Sequence, residues 1–165
     1  MLSSATTAAM LGGGAVAGLF AAVVMDVPMS RQPEGFTPAY IAAGVATRTA
    51  PSAVSFERAM VVHHVTGVLA GVLYGLLALA TETALSGVAA TLGGSAAVVA
   101  HVVGAVGVAA FVYVFFAHLV LPRAGVVYEE RATAVRGQWL RSALVFGGAM
   151  LVAAPAVVDV ADAVG

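Results

Sequence analysis

Between Arg58 and Glu82 the chain reads AMVVHHVTGVLAGVLYGLLALAT (59–81), a run without a single charge. A bilayer crossing needs about 20 predominantly apolar residues, and this run is apolar on all sides rather than along one stripe. It reads as a membrane-spanning helix. Working outward, no charge precedes Asp26, a long uncharged interval separates Glu82 from Arg123, and a shorter one separates Arg141 from Asp159. Each gap holds one more span, the longest also holding a turn. The chain is therefore expected to be an all-α membrane protein, a four-transmembrane-helix bundle forming one domain over 1–165. Its helices are expected at roughly 8–26, 57–81, 96–121 and 139–158. Uninterrupted apolar runs of this length exclude the alternating strands of about 10 residues that build an outer-membrane barrel.

Composition agrees with this. Of 165 residues, 61% are hydrophobic and 9% charged, and mean hydropathy is +1.02. A soluble domain carries about 25% charged residues, so a water-soluble globular enzyme is excluded, and so is a disordered chain. A net charge of −1 leaves no footprint for nucleic acid. Without cysteine there is no disulfide, thiolate zinc site, cysteine nucleophile or iron–sulfur cluster.

The basic residues orient the spans. All seven are arginines: Arg31, Arg48, Arg58, Arg123, Arg131, Arg136 and Arg141. Each falls in, or at the edge of, the segment joining helices 1 and 2 or the segment joining helices 3 and 4. The positive-inside rule then makes both segments cytoplasmic and both termini external. The N-terminal stretch lacks the basic region of a secretory signal, so helix 1 is read as an uncleaved span. Exclusive use of arginine suggests a GC-rich genome, and the expected location is the cell membrane of a prokaryote, in contact with its lipids.

Both cytoplasmic loops are expected to carry short interfacial helices. Pro28 should end helix 1, and Thr37-Pro38 reads as a cap with proline at the first helical position. Tyr40, Ile41 and Val45 would then lie on the membrane surface. Ser55 should cap helix 2, with Glu57 in its first turn. In the second loop a surface helix is expected around Glu129 to Arg136, broken at Gly137, with Trp139 anchoring helix 4 among the headgroups. Gly93-Gly94 is expected to lie in the outer turn.

Small residues mark the contact faces. Gly67, Gly71 and Gly75 share a stripe on helix 2, a glycine zipper. Gly14 and Gly18, followed by Ala22, form one on helix 1, and Ala100, Gly104 and Gly107 one on helix 3. Close backbone approach at such residues joins helices in lipid. The stripes serve either the chain's own helices or a contact with a second copy or a partner subunit.

Ionisable groups within a span are costly and so are candidates for function. At 1.5 Å per residue His64 lies about 9 Å inside Arg58 and His118 about 7.5 Å inside Arg123, at similar depth near the expected cytoplasmic face. Asp26 and His63 stand at the same level. This polar cluster of Asp26, His63, His64 and His118 has several uses. His64 and His118 together resemble the axial ligands of a haem b. Met25, Met29, Met60, His63 and His64 offer copper-type donors. In the plainest reading the histidines are neutral and hydrogen-bonded to Asp26, Thr66, Tyr74 or backbone carbonyls. A His–Asp pair can also pass protons or a solute. The plain reading is adopted, with no metal and no cofactor assigned. His101 is placed apart, as a snorkelling histidine at the outer interface near Thr81 and Glu82. No phosphate loop, H-E-x-x-H or G-x-S-x-G occurs, and no catalytic residue is assigned.

Three stretches carry a resemblance: GLFAAVVMD (18–26), HVTGVLAGVLYG (64–75) and LPRAG (121–125). Together they resemble a group of small prokaryotic four-helix membrane proteins of undefined function. The resemblance implies four helices and a shared role for Asp26 and His64. The expected function is that of a non-enzymatic accessory or scaffolding subunit of a membrane assembly, or a small homo-oligomer. A haem b or redox protein and a small ion or solute transporter are the alternatives.

Overall fold

The computed structural model describes residues 4–92, 95–124 and 130–164. Serines cap two of the helices. The expected Thr37 cap is not formed: the capping position falls on Phe36, which supplies no side-chain bond, and Pro38 stands second in its helix rather than first. α1 covers Ser4–Ser30 and α2 covers Thr37–Thr47. A single 3₁₀ turn at Pro51–Ala53 leads into α3, Phe56–Leu92. There the Arg58 N–H donates to Ser55 Oγ at 3.4 Å, and Glu57 sits in the first turn, as the sequence predicts. α4, Ala96–Val114, is capped the same way by Ser95, whose hydroxyl accepts from the Val98 N–H at 3.4 Å. It runs on into a wider π-type turn, Phe115–Val120, and a 3₁₀ turn, Leu121–Ala124. α5 covers Ala132–Val164.

Four helices are long and apolar enough to cross a membrane: Ser4–Ser30, Phe56–Gly87, Ala96–Arg123 and Ala132–Val157. No strand occurs among the described residues. α1 packs against α3 and α5, and α4 packs against the same two helices. Their shared core is built mostly from alanine (Ala17, Ala21, Ala22, Ala70, Ala78, Ala105, Ala154), with Tyr74, Val108, Phe146 and Met150 filling the centre. Only 22–33% of the most apolar window of each helix is buried within the chain. The outward residues are themselves large and apolar, among them Val16, Phe20, Val61, Leu69, Val98, Phe111, Leu144 and Val152. Monomeric soluble proteins rarely expose apolar patches beyond a few hundred Å². This is the surface pattern of a multi-pass membrane protein.

The glycine stripes of α1 and α3 face each other within the chain. A Cβ on Gly14 would stand 2.5 Å from the Gly71 carbonyl oxygen, and one on Gly67 would stand 2.5 Å from Ala22 Cβ. A Cβ on Gly71 would strike the carbonyl of Gly14, and one on Gly18 that of Gly67. Gly104 of α4 performs a different task, lying flat against the Tyr74 ring.

Several expected boundaries need correction. Helix 1 does not stop at Pro28 but runs two residues further, because proline's fixed φ fits a helix and only the bond to the carbonyl four residues back is lost. α3 continues to Leu92 rather than ending near 81, since nothing among these Ala, Ser, Gly and Val residues forbids helix. At 37 residues it is about 55 Å long, well beyond a hydrocarbon layer of about 30 Å. α5 starts at Ala132 and passes straight through Gly137, so no separate surface helix precedes helix 4 over 130–138. A lone helical glycine costs only about 1 kcal/mol against alanine, which the flanking turns easily offset. The expected outer turn at Gly93-Gly94, Gly125 and the start of the surface helix at Glu129 lie outside the described residues.

α2 is present but docked on the protein. Ala39, Ile41, Ala43 and Gly44 are buried, and Ile41 packs with Ala117, Val120, Leu121, Val135 and Trp139. Trp139 is likewise buried beneath α2 instead of facing the headgroups. The apolar side of α2 thus covers the loop end of the four long helices.

Candidate functional site

The glycine contact builds the site. Asp26 stands one turn beyond Ala22 on α1, and His63 and His64 stand one turn before Gly67 on α3. Because the backbones nearly touch at Ala22 and Gly67, His63 reaches across to α1, and its Nε2–H donates to the Ala22 carbonyl at 3.3 Å. A carbonyl can only accept, so Nε2 carries this ring's proton. His64 Nε2–H donates to Asp26 Oδ2 at 3.0 Å. His63 Nε2 is also 3.1 Å from Asp26 Oδ1, but its single proton is directed at Ala22. Oδ1 therefore stays buried with no hydrogen bond, a state that costs about 1–3 kcal/mol or more for a charged group. The three groups offer ligand atoms that all lie within 4.8 Å of one another. His63 is buried, while His64 and Asp26 are partly buried.

Of the expected cluster, the structure brings together Asp26, His63 and His64, and leaves out His118. That residue lies in the π-type turn, exposed, with its ring edge-on to Tyr113. Among the described residues it belongs to no cluster of three or more such groups, and its ring contact is with Tyr113 rather than with His64. The physical reason is rotational. Depth along a helix follows from residue count, but an i→i+5 turn shifts the facing of the residues within it away from a 3.6-residue pitch. Asp26 pairs with the histidines and not with Arg31. Of the copper-type donors, Met25 and Met29 share with His63 the wall of a cavity of about 60 Å³. Trp139 lines the same cavity, and its buried Nε1–H has no partner.

His101 departs most from expectation. It is no snorkelling side chain but a bridge between three helices. Its Nε2–H donates to the Leu151 carbonyl of α5 at 2.9 Å, and its Nδ1 accepts from the Tyr74 hydroxyl of α3 at 2.7 Å. The Leu151 carbonyl is free because its helical partner would be the N–H of residue 155, and Pro155 has none. That proline was the one sequence signal announcing an acceptor in search of a donor.

A second freed carbonyl lies at the loop end. The Leu121 N–H bonds to the carbonyl of Phe116, five residues back. The equivalent step for Ala117 falls on Pro122, which has no N–H. Arg136 Nε–H from α5 supplies the bond at 3.1 Å. Arg123 turns back onto the Leu119 carbonyl. Glu34, which reads in the sequence as an ordinary loop acid, ties the α1–α2 turn to α5. Its backbone N–H donates to Gln138 Oε1 at 2.8 Å, and its carboxylate accepts from Thr37 Oγ1 at 2.7 Å and pairs with Arg131.

Comparison with protein-family models, with curated proteins and with solved structures gives no match for this chain.

Proposed function

We propose that the chain is a non-enzymatic multi-pass protein of a prokaryotic cell membrane, a four-helix bundle acting as an accessory or scaffolding subunit of a membrane assembly. The observation that carries this reading is how the intramembrane polar groups are used. His64 and Asp26 join α1 to α3, and Tyr74, His101 and the Leu151 carbonyl join α3, α4 and α5. Polar groups placed at helix joints stiffen a body, whereas a transport path needs them along a route through it. The glycine stripes of α1 and α3 are used inside the chain, so a partner would meet the Val-, Leu- and Phe-rich exterior.

Blue-native electrophoresis after mild detergent extraction tests the role. The expected result is migration in a complex larger than one chain, with mass spectrometry of the band distinguishing foreign subunits from further copies. Migration as a lone monomer overturns the proposal. Orientation is testable because the chain has no native cysteine. With both termini external, a membrane-impermeant maleimide should label Thr83→Cys in intact cells and spare Ser52→Cys.

A further inference from the structure

We propose that Asp26, His63 and His64 bind one divalent first-row transition ion of the zinc class, clipping α1 to α3 at the loop end of the helices. This is independent of any scaffolding role. Two neutral imidazoles and one carboxylate are the borderline donor set that zinc takes, commonly with three protein ligands and a fourth position left to water. The spacing fits. Asp26 oxygens lie 3.0 Å and 3.1 Å from the two Nε2 atoms, and a tetrahedral shell with bonds of about 2.0–2.1 Å has edges of about 3.3 Å. All three ligand atoms lie within 4.8 Å of one another, so closing the shell draws the ligands inward.

A second observation points the same way. The hydrogen bonds around the carboxylate do not close, since His63 spends its one Nε2 proton on Ala22 and Asp26 Oδ1 is left buried and unpaired. A buried polar atom in that condition calls for an explanation, and an ion held by these three residues supplies one. No arginine answers it, because among the described residues Asp26 has ion pairs only with the two histidines. A cation at this point neutralises the carboxylate and uses the lone pairs of both rings. Each imidazole coordinates through Nε2 once its proton has moved to Nδ1, so the ring stays neutral and no net proton is released. The cavity bordered by His63, Met25, Met29 and Trp139 leaves room for water beside the site. The carboxylate selects a divalent ion over copper(I), which would draw on the two methionine sulfurs instead.

The test uses the full-length protein in detergent micelles, stripped of metal by a chelator and titrated with Co²⁺. The expected result is one Co²⁺ per chain, with the intense visible bands of a four-coordinate ion, displaced by Zn²⁺. Asp26→Asn and His64→Gln should each weaken binding by at least about 100-fold, the upper end of what residues merely hydrogen-bonded to a metal ligand command. His118→Gln should bind as the parent does. A folded parent protein that binds neither Co²⁺ nor Zn²⁺ saturably overturns the proposal. So does binding of copper(I) alone, or binding indifferent to both substitutions. Should Asp26→Asn fail to fold, His64→Gln and the melting temperature decide. Zn²⁺ in large excess over its Kd must raise the Tm of the parent protein and not that of His64→Gln.

Discussion

If Pro155 creates the acceptor that His101 satisfies, the two residues must be energetically coupled. Replacing His101 by Leu removes two hydrogen bonds, one to the Leu151 carbonyl at 2.9 Å and one from the Tyr74 hydroxyl at 2.7 Å. Interhelical hydrogen bonds in membranes average about 0.6 kcal/mol and reach about 1.7, so His101→Leu should cost about 1–3 kcal/mol. In a Pro155→Ala background the new N–H at 155 can bond to Leu151 within α5. His101→Leu then forfeits only the Tyr74 bond, and its cost should fall by the value of one such bond, about 0.6–1.7 kcal/mol. Tyr74→Phe, by contrast, should be equally costly with or without Pro155. The cycle is measurable by reversible unfolding in mixed micelles, with each variant folded from the same detergent. Strict additivity of His101→Leu and Pro155→Ala would refute the reasoning, because it would mean that the histidine does nothing for the proline's orphaned carbonyl.

Two further outcomes follow from the packing. Gly71→Ala drives a methyl group into the carbonyl of Gly14, which cannot yield without moving α1. Overpacking of this kind costs about 1–3 kcal/mol, whereas Gly12→Ala, which has open space, should be neutral or stabilise by up to about 1 kcal/mol. Thermal unfolding of the pair in detergent checks this, and equal melting temperatures would contradict the α1–α3 contact. Glu34→Ala releases Thr37 and Arg131, so amide exchange should quicken across 31–47 by the equivalent of about 1 kcal/mol while the four long helices keep their protection. Unchanged exchange in that segment would show that the tie to α5 holds nothing.

The four long apolar helices were legible because charge is costly in hydrocarbon, and the gaps between charged residues therefore mark them. Their ends were not, because the rule that excludes charge from lipid says nothing about where a helix stops outside it. α3 and α5 overshoot for that reason. The joining of Asp26 to His64 was legible from depth alone, since both sit near the same end of adjacent apolar helices. The placing of His118 was not, because its facing depends on a π-type turn with no compositional signature. Trp139 misled for a related reason. A tryptophan near a span end is ordinarily a headgroup anchor, but here α2 folds over it, and the sequence of α2 shows an apolar side without showing what that side covers.

The same physics explains why two helix pairs of this chain are joined by different means. α1 and α3 approach closely through backbone at Gly14, Gly18, Gly67 and Gly71, and Asp26 with the two histidines links them at one end. α4 and α5 are joined by hydrogen bonds that two prolines make possible. Pro155 frees a carbonyl on α5 and α4 answers with His101. Pro122 frees one at the end of α4 and α5 answers with Arg136. Because the two helices run in opposite directions, these reciprocal bonds fall at opposite ends of their contact. Each helix therefore carries both the defect and the donor that repairs its neighbour's, so sliding α5 along α4 in either direction breaks both bonds at once. A register fixed in this way needs no glycine stripe, and Gly147 of α5 meets Ala109 and Ala105 of α4 as a single small-residue contact rather than as one of a row. It also places the strongest constraint on α5 at residues whose sequence signal is a proline within a span.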